Sequence, residues 1–334
     1  MKKILALLFC FIILCQCKKD DNVIVDENFY KAFSMREPYP EVMFDSINNL
    51  IYVFDRDVGK IVCYDYQNHK VISTTQKTSF IFWKELSLYT SPSVSEVYLA
   101  NAKTIFIYKG KTLEFKDSIS VFPYTNDRNI TGIECPNEDL LILGTCNSDL
   151  GAIAFNKKSR SIISQGSLGG YCMVTSSYKT DGDKIGVLGF GNSGTHTQLY
   201  SYLFSNKGEL LDNKAEFFPQ AGTGMPIKTN ENIDFFISGY KGHMYGKKNL
   251  EFRTSLWGSY ADFLISKSGD KLYGLSSNKE LHIYDLPSLT RLKTIALPSI
   301  PVKGFIDENK LIIVYFGLII HSDPIDVYIS RFEL

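Results

Sequence analysis

A polar turn carrying Asn, Asp or Gly, followed by an apolar β-rich run, recurs seven times along the chain. The copies are NNLIYVFD (48–55), SEVYLANA (95–102), EDLLILGT (138–145), GDKIGVLG (182–189), ENIDFFIS (231–238), GDKLYGLS (269–276) and ENKLIIVY (308–315). Their starts lie 47, 43, 44, 49, 38 and 39 residues apart. Spacing this even over a whole chain marks one structural unit repeated, each copy burying a face against the next. The sixth unit reads ADFLIS (261–266), KLYGLSS (271–277), ELHIYDLP (280–287) and RLKTIALP (291–298). These are four short runs rich in β-branched and aromatic residues, joined by tight turns. No segment after residue 22 carries a capped 3.6-residue apolar period, so helices should be scarce.

Four antiparallel strands per unit of about 40–45 residues predict a propeller blade. Seven units then predict an all-β fold over residues 25–334: a seven-bladed β-propeller with four-stranded antiparallel blades, six or eight blades being the alternatives. HIYDLPSLTRLKTIALP (282–298) resembles the YVTN and WD40-like propeller families in its third-strand Tyr-Asp, its turn and its fourth strand. Two features depart from WD40 proper: no Gly-His pair opens a unit and no Trp-Asp closes a third strand. The resemblance therefore implies an architecture and no ligand. The last unit stops after PVKGFID (301–307), KLIIVYF (310–316) and DVYISRFEL (326–334), one strand short. NFYKAFSM (28–35) fits the missing strand, so the N-terminal strand should close the last blade and remove an open edge.

The first residues carry a different signal. Lys2 and Lys3 precede an apolar run from Ile4 to Leu14, the length of a signal-peptide core and too short to span a bilayer. Leu14-Cys15-Gln16-Cys17 resembles the lipobox of bacterial lipoproteins, although Gln16 stands where Gly, Ala or Ser is usual. That resemblance implies a signal peptide at 1–16, acylation of Cys17, and a tether at 17–24. Lys18-Lys19-Asp20-Asp21-Asn22 resembles the charged export signal of surface lipoproteins. The expected location is the outer membrane with the propeller on the cell surface; the periplasmic face is the alternative.

Lys+Arg and Asp+Glu are 36 each, and removing residues 1–16 leaves 34 against 36, a net charge of −2. A nearly neutral chain lacks the basic field that nucleic-acid binding requires, and attachment to the membrane would fall to the acyl chains. Cys63, Cys135, Cys146 and Cys172 follow the anchor without a CxxC spacing. They read as small buried hydrophobes, a Cys146–Cys172 bridge being the alternative. No cofactor and no metal site is expected, since no His stands at a zinc-site spacing from these cysteines and no acidic calcium loop occurs.

No G-x-S-x-G, H-E-x-x-H or P-loop is present, so no catalytic residue is assigned. GFGNSG (189–194) reads as a loop between strands, and DGD (181–183) as a plain turn. His282 lies inside a strand, whereas His196, His243 and His321 each follow a second strand, in the loop leading to a third. In a propeller those loops share one end of the ring with the joins between blades. The joins carry aromatics, among them Trp83, Tyr124, Tyr171, Trp257 and Tyr260, with Arg128 nearby. Exposed rings beside Arg suit a protein or glycan partner, while rings packed between blades are the structural alternative. The candidate ligand-binding set is thus Trp83, Tyr124, Arg128, Tyr171, His196, His243, Trp257, Tyr260 and His321. The functional expectation is a lipid-anchored, non-catalytic binding propeller. A lactonase- or lyase-like enzyme using the loop histidines and a structural subunit of an outer-membrane assembly are the rivals.

Overall fold

Each recurring polar turn reverses the chain between the first and second strands of a unit, and side-chain caps hold it there. Asp45 shows how: its carboxylate accepts the Ile47 and Asn48 N–H groups at 3.1 and 3.0 Å, and Asn49 then takes φ 58°. Asx-type caps and a left-handed Asn make this reversal inexpensive. The join between third and fourth strands is equally regular. It holds a left-handed residue in all six units where it is internal: His69, Leu113, Arg160, Gly208, Leu250 and Leu289. The Tyr-Asp motif prepares that join, since Asp65 accepts the Gln67 and Asn68 N–H groups and Asp285 accepts that of Ser288.

The computed structural model describes residues 29–35, 41–76, 84–121, 129–145, 151–166, 172–180, 182–192, 197–218, 222–317 and 324–334. The first strand is β1 (Tyr30–Met35). Blade 1 follows as β2 (Glu41–Asp45), β3 (Leu50–Asp55), β4 (Lys60–Asp65) and β5 (Lys70–Thr74). Blade 2 is β6 (Lys84–Thr90), β7 (Ser95–Asn101), β8 (Thr104–Lys109) and β9 (Phe115–Ser120). Blade 3 is β10 (Ile130–Glu134), β11 (Leu140–Thr145), β12 (Ala152–Asn156) and β13 (Ser161–Gly166). Blade 4 is β14 (Met173–Thr180), β15 (Lys184–Asn192), β16 (Thr197–Phe204) and β17 (Leu210–Phe218). Blade 5 is β18 (Ile227–Lys228), β19 (Phe235–Ser238), β20 (His243–Gly246) and β21 (Phe252–Ser255). Blade 6 is β22 (Tyr260–Ile265), β23 (Lys271–Ser276), β24 (Glu280–Asp285) and β25 (Arg291–Ala296). Blade 7 is β26 (Pro301–Asp307), β27 (Lys310–Phe316) and β28 (Ile325–Glu333), completed by β1 in the order β1-β28-β27-β26.

The fold is thus all-β, with seven antiparallel four-stranded sheets and no helix among the described residues. The seven recurring runs are the second strands β3, β7, β11, β15, β19, β23 and β27. Pairing of third and fourth strands slips at one place in blades 1 to 6, beside the third-strand aromatics Tyr64, Tyr108, Phe155, Phe204, Tyr245 and Tyr284. A bulge there increases the twist of the outer strand.

The core is divided into seams between adjacent blades rather than gathered in one centre. Ile51, Val53, Tyr64, Ile312, Val314 and Val327 join blade 1 to blade 7, which closes the ring. Leu50, Tyr52, Leu86 and Val97 join blades 1 and 2. The seam between blades 4 and 5 is built from Leu188, Leu199, Ile227, Phe236, Tyr245 and Leu250. Each fully buried Leu, Ile or Phe contributes about 1.5–3 kcal/mol. Because each seam joins neighbouring blades, the seams add stability unit by unit.

Two local expectations are corrected. Gly189 to Asn192 of the GFGNSG string do not form a loop; they extend β15. His243 is not a loop residue; it opens β20. Cys63, Cys135 and Cys172 are buried and free, and Cys146 lies outside the described residues. Burial pushes each of the three thiols up to about 12. A thiol reagent at pH 8 should therefore label none of the three in the native protein and all three in guanidinium; native labelling within minutes would contradict their burial. The same shifts set the alkaline limit. Unfolded thiols titrate near 9 and native ones near 12, so the stability they contribute is complete below about pH 9 and is lost as pH rises toward 12. Buried Tyr64 and half-buried Tyr178, also pushed up to about 12, act in the same direction from pH 10 upward. Thermal midpoints should fall between pH 9 and pH 11.

Candidate functional site

By the order of strands, joins between blades and joins between second and third strands lie at one end of the ring. Cys17, Trp83, Tyr124, Arg128, Tyr171, His196 and His321 lie outside the described residues. His243, Trp257 and Tyr260 are described: His243 opens the third strand of blade 5, Trp257 lies in the join to blade 6, and Tyr260, expected in that join, instead begins β22 of blade 6.

Trp257 sits in the four-residue join between β21 and β22, 72% exposed, with φ 54°. A positive φ is strained for a bulky side chain and persists only where the surroundings hold it. His243 supplies part of that hold from below. It is 1% exposed, and its ring meets Trp257 edge-on at 6.1 Å and Phe252 at 5.9 Å. A hydrogen bond between His243 Nδ1 and the Ser255 hydroxyl fixes the imidazole in its plane. His243 therefore supports the aromatic surface instead of facing solvent. Tyr260 is also beneath the surface, 2% exposed, with its hydroxyl 2.6 Å from that of Tyr284 and 3.2 Å from His282 Nδ1. Burial, followed by the Tyr284 hydroxyl, raises the Tyr260 pKa well above the usual phenol range. Met225, Tyr240 and Phe252 add exposed apolar area to the same blade.

The Gly-rich segment ahead of β18 is held against this surface. Gly239 N–H donates to the Gly224 and Pro226 carbonyls at 2.9 and 3.0 Å, and the Ser238 hydroxyl donates to the Gly224 carbonyl at 2.8 Å. Gly239 has φ 74°, and a Cβ there would meet the Gly222 oxygen at 1.6 Å, so only glycine fits. Among the described residues no group of three or more His, Cys, Asp or Glu could hold a metal ion.

A second constellation lines the central channel, where the first strand of every blade faces the axis. Asp262 on β22 is fully buried. Its Oδ1 lies 3.3 Å from Lys228 Nζ of β18, and its Oδ2 lies 3.9 Å from Lys303 Nζ of β26. Oδ2 also accepts the Gly304 N–H at 3.2 Å. Oδ1 makes a charge contact with Lys228 without hydrogen-bond geometry. Glu134 on β10 accepts the Ser177 hydroxyl of β14 at 2.7 Å, and burial raises its carboxyl pKa. Burial, partly offset by Asp262 and reinforced by Lys303, lowers Lys228 to about 8. A repeated device underlies this arrangement: Glu41, Glu134 and Asp262 each take a donor from the first strand of the next blade, namely Leu86 N–H, Ser177 hydroxyl and Gly304 N–H. No short motif marks this set in the sequence. The available signal was a charge inside otherwise apolar first strands, as in ADFLIS and PVKGFID.

A cavity of about 960 Å³ opens at the opposite end of the ring, lined by Tyr89, Cys135, Asn137, Lys179, Asn206 and Lys207 among others. Size alone does not recommend it, because the thiol of Cys135 in its lining is kept protonated by burial.

Blades, seams and strand exchange between the two ends define a closed seven-bladed β-propeller with an aromatic surface on blade 5. Among solved structures, a crystal structure of BBS1N in complex with ARL6DN, soaked with mercury, is similar to this chain. The TM-score is 0.60 at 15% identity, covering 92% of this chain and 98% of that one. At that identity the likeness concerns the fold. No protein-family model matches the chain, and no curated protein does.

Proposed function

We propose that the mature chain is a lipid-anchored cell-envelope propeller that binds a protein partner through the loop end of blade 5 and catalyses no reaction. The observation that carries this reading is Trp257: a large aromatic, 72% exposed, on a strained backbone braced by a buried histidine. Rigid exposed aromatics lose little entropy on binding and anchor protein interfaces. The fold supports the reading by analogy, since the similar BBS1N structure is a complex with another protein. A glycan partner is the second reading, favoured by Trp257 and the exposed Tyr240 ring, which suit stacking on sugars. The lipobox-like Leu14-Cys15-Gln16-Cys17 supports anchoring in the outer membrane with the propeller outside the cell.

A photo-crosslinking side chain at position 257 should give a discrete protein adduct in cells, and the same group at Lys207, on the opposite end, should give none. Equal adducts from both positions, or none from 257, would overturn the protein reading. A glycan array read with wild type and Trp257→Ala then decides the second. Cys17→Ser should abolish lipid labelling and release the protein from membranes; retention of the variant in the membrane fraction would refute the anchor.

A further inference from the structure

Lysines on the first strands of blades 5 and 7 converge on one carboxylate between them, in a wall-bounded channel that water still enters. Lys228 Nζ is 3.3 Å from Asp262 Oδ1 and Lys303 Nζ is 3.9 Å from Asp262 Oδ2. The Lys228 and Lys303 side chains keep 25% and 27% of their surface open to solvent, whereas Asp262 keeps none. Asp262 is immobilised, because Oδ2 also holds the Gly304 N–H of the next blade. Glu134, on the blade 3 first strand, is the other acid whose charge reaches both lysines, but it is desolvated and tied to Ser177. Two ammonium groups thus share one carboxylate, held in place through Oδ2, and one carboxylate that holds its charge poorly.

We propose that Lys228 is a covalent binding site for small carbonyl compounds that carry a carboxylate, with Lys303 receiving that carboxylate. A lysine deprived of water and set beside a second cation is an activated amine. The reaction is a condensation. The Lys228 ammonium first gives a proton to Asp262 Oδ1 or to channel water. The freed Nζ lone pair attacks the carbonyl carbon, breaking the C–O π bond and forming a carbinolamine. The proton then returns to the leaving hydroxyl, which departs as water, and nitrogen forms the C=N bond. One ammonium and one carbonyl give one iminium ion and one water, with no oxidant or reductant. Lys303 orients the substrate and offsets its carboxylate, as charge-assisted contacts do. The groups facing Lys228 are Glu134 on β10, Asp262 on β22 and Lys303 on β26; loss of water on burial, with Lys303 adding to it, outweighs the Asp262 carboxylate and lowers Lys228 to about 8.

The test uses the folded protein with glyoxylate and, separately, acetaldehyde, trapped by cyanoborohydride and mapped by mass spectrometry. At pH 7.5 Lys228 should be trapped at least tenfold faster than Lys158, an exposed lysine paired with Asp139. Its rate should rise with pH to a midpoint near 8. Glyoxylate should exceed acetaldehyde at Lys228, and Lys303→Met should remove most of that preference while moving the midpoint upward. Lys303→Arg should restore the preference. Trapping at Lys228 no faster than at Lys158 overturns the proposal in the wild-type protein, whatever the variants do. An unchanged midpoint and unchanged preference in a folded Lys303→Met protein overturns the role of Lys303.

Discussion

A chain beginning at residue 36 should unfold roughly 8 °C below one beginning at residue 29 and should aggregate more readily. Strand β1 is the fourth strand of blade 7 and pairs with β28 from Tyr30–Ile329 to Met35–Ile325. It buries Met35 completely and packs Phe33, Ala32 and Tyr30 partly into the seam between blades 1 and 7. Tyr30 also reaches across to blade 1, donating to the Tyr66 carbonyl at 3.1 Å and packing edge-on against His69 at 3.9 Å. One full and three partial burials amount to about 5 kcal/mol. For a domain of about 300 residues each kcal/mol corresponds to roughly 1.5 °C. The exposed Lys31–Asp326 ion pair adds little. Loss of β1 would also bare the edge of β28 to pairing with other chains. Calorimetry and light scattering on the two truncations check this. Equal midpoints would mean that the ring holds without exchange of its ends.

Asp262→Ala should cost about 3 kcal/mol or more in urea unfolding, because removing one partner of a buried charge set leaves the others uncompensated. The Gly304 N–H would lose its acceptor, and Lys228 and Lys303 would lose the carboxylate between them. Asp262→Asn, which keeps an acceptor for Gly304, should cost less. Adding Lys228→Met to Asp262→Ala should recover part of the loss, since the two sites are coupled. The pH dependence follows from the lowered Lys228 pKa. Between about 8 and 10.5 the unfolded chain binds a proton that native Lys228 has given up, so this group makes stability rise with pH in that window. Loss of Asp262 would lower that pKa further and start the rise at lower pH. It runs against the loss due to thiols and tyrosines, which dominates above pH 10. A double-mutant cycle with no coupling energy would show that the lysines do not depend on Asp262.

The fold was legible because propellers repeat. NNLIYVFD, EDLLILGT and ENKLIIVY share one pattern, a polar turn and then an apolar run, and each forms a second strand. The four runs read in the sixth unit match β22 to β25 within two residues. Blade 5 was harder to delimit: ENIDFFIS places only its last four residues in β19, and β18 has two residues. Turn chemistry takes up the rest of that blade, so hydrophobic alternation fades. His243 was misplaced for the same reason, since a four-residue strand leaves no periodic signal to separate it from the loop before it.

The candidate sites divide along the same line. Sequence alone could set Trp257 and Tyr260 in one join between blades, but their opposite fates follow from three residues of chain. Tyr260 starts β22, where pairing with Ser276 turns its ring into the seam toward Phe263, Tyr284 and His282. Trp257 remains in the turn, lifted outward by a positive φ. The channel set is less visible still. Glu134, Lys228, Asp262 and Lys303 are spread over 170 positions and come together because each occupies the first strand of a blade. Local alternation and turn residues act over a few positions, so they determine the number, order and strand content of the blades. Ring closure acts over the whole chain, and it alone decides which side chains share an axis, which lose water and which are left facing outward.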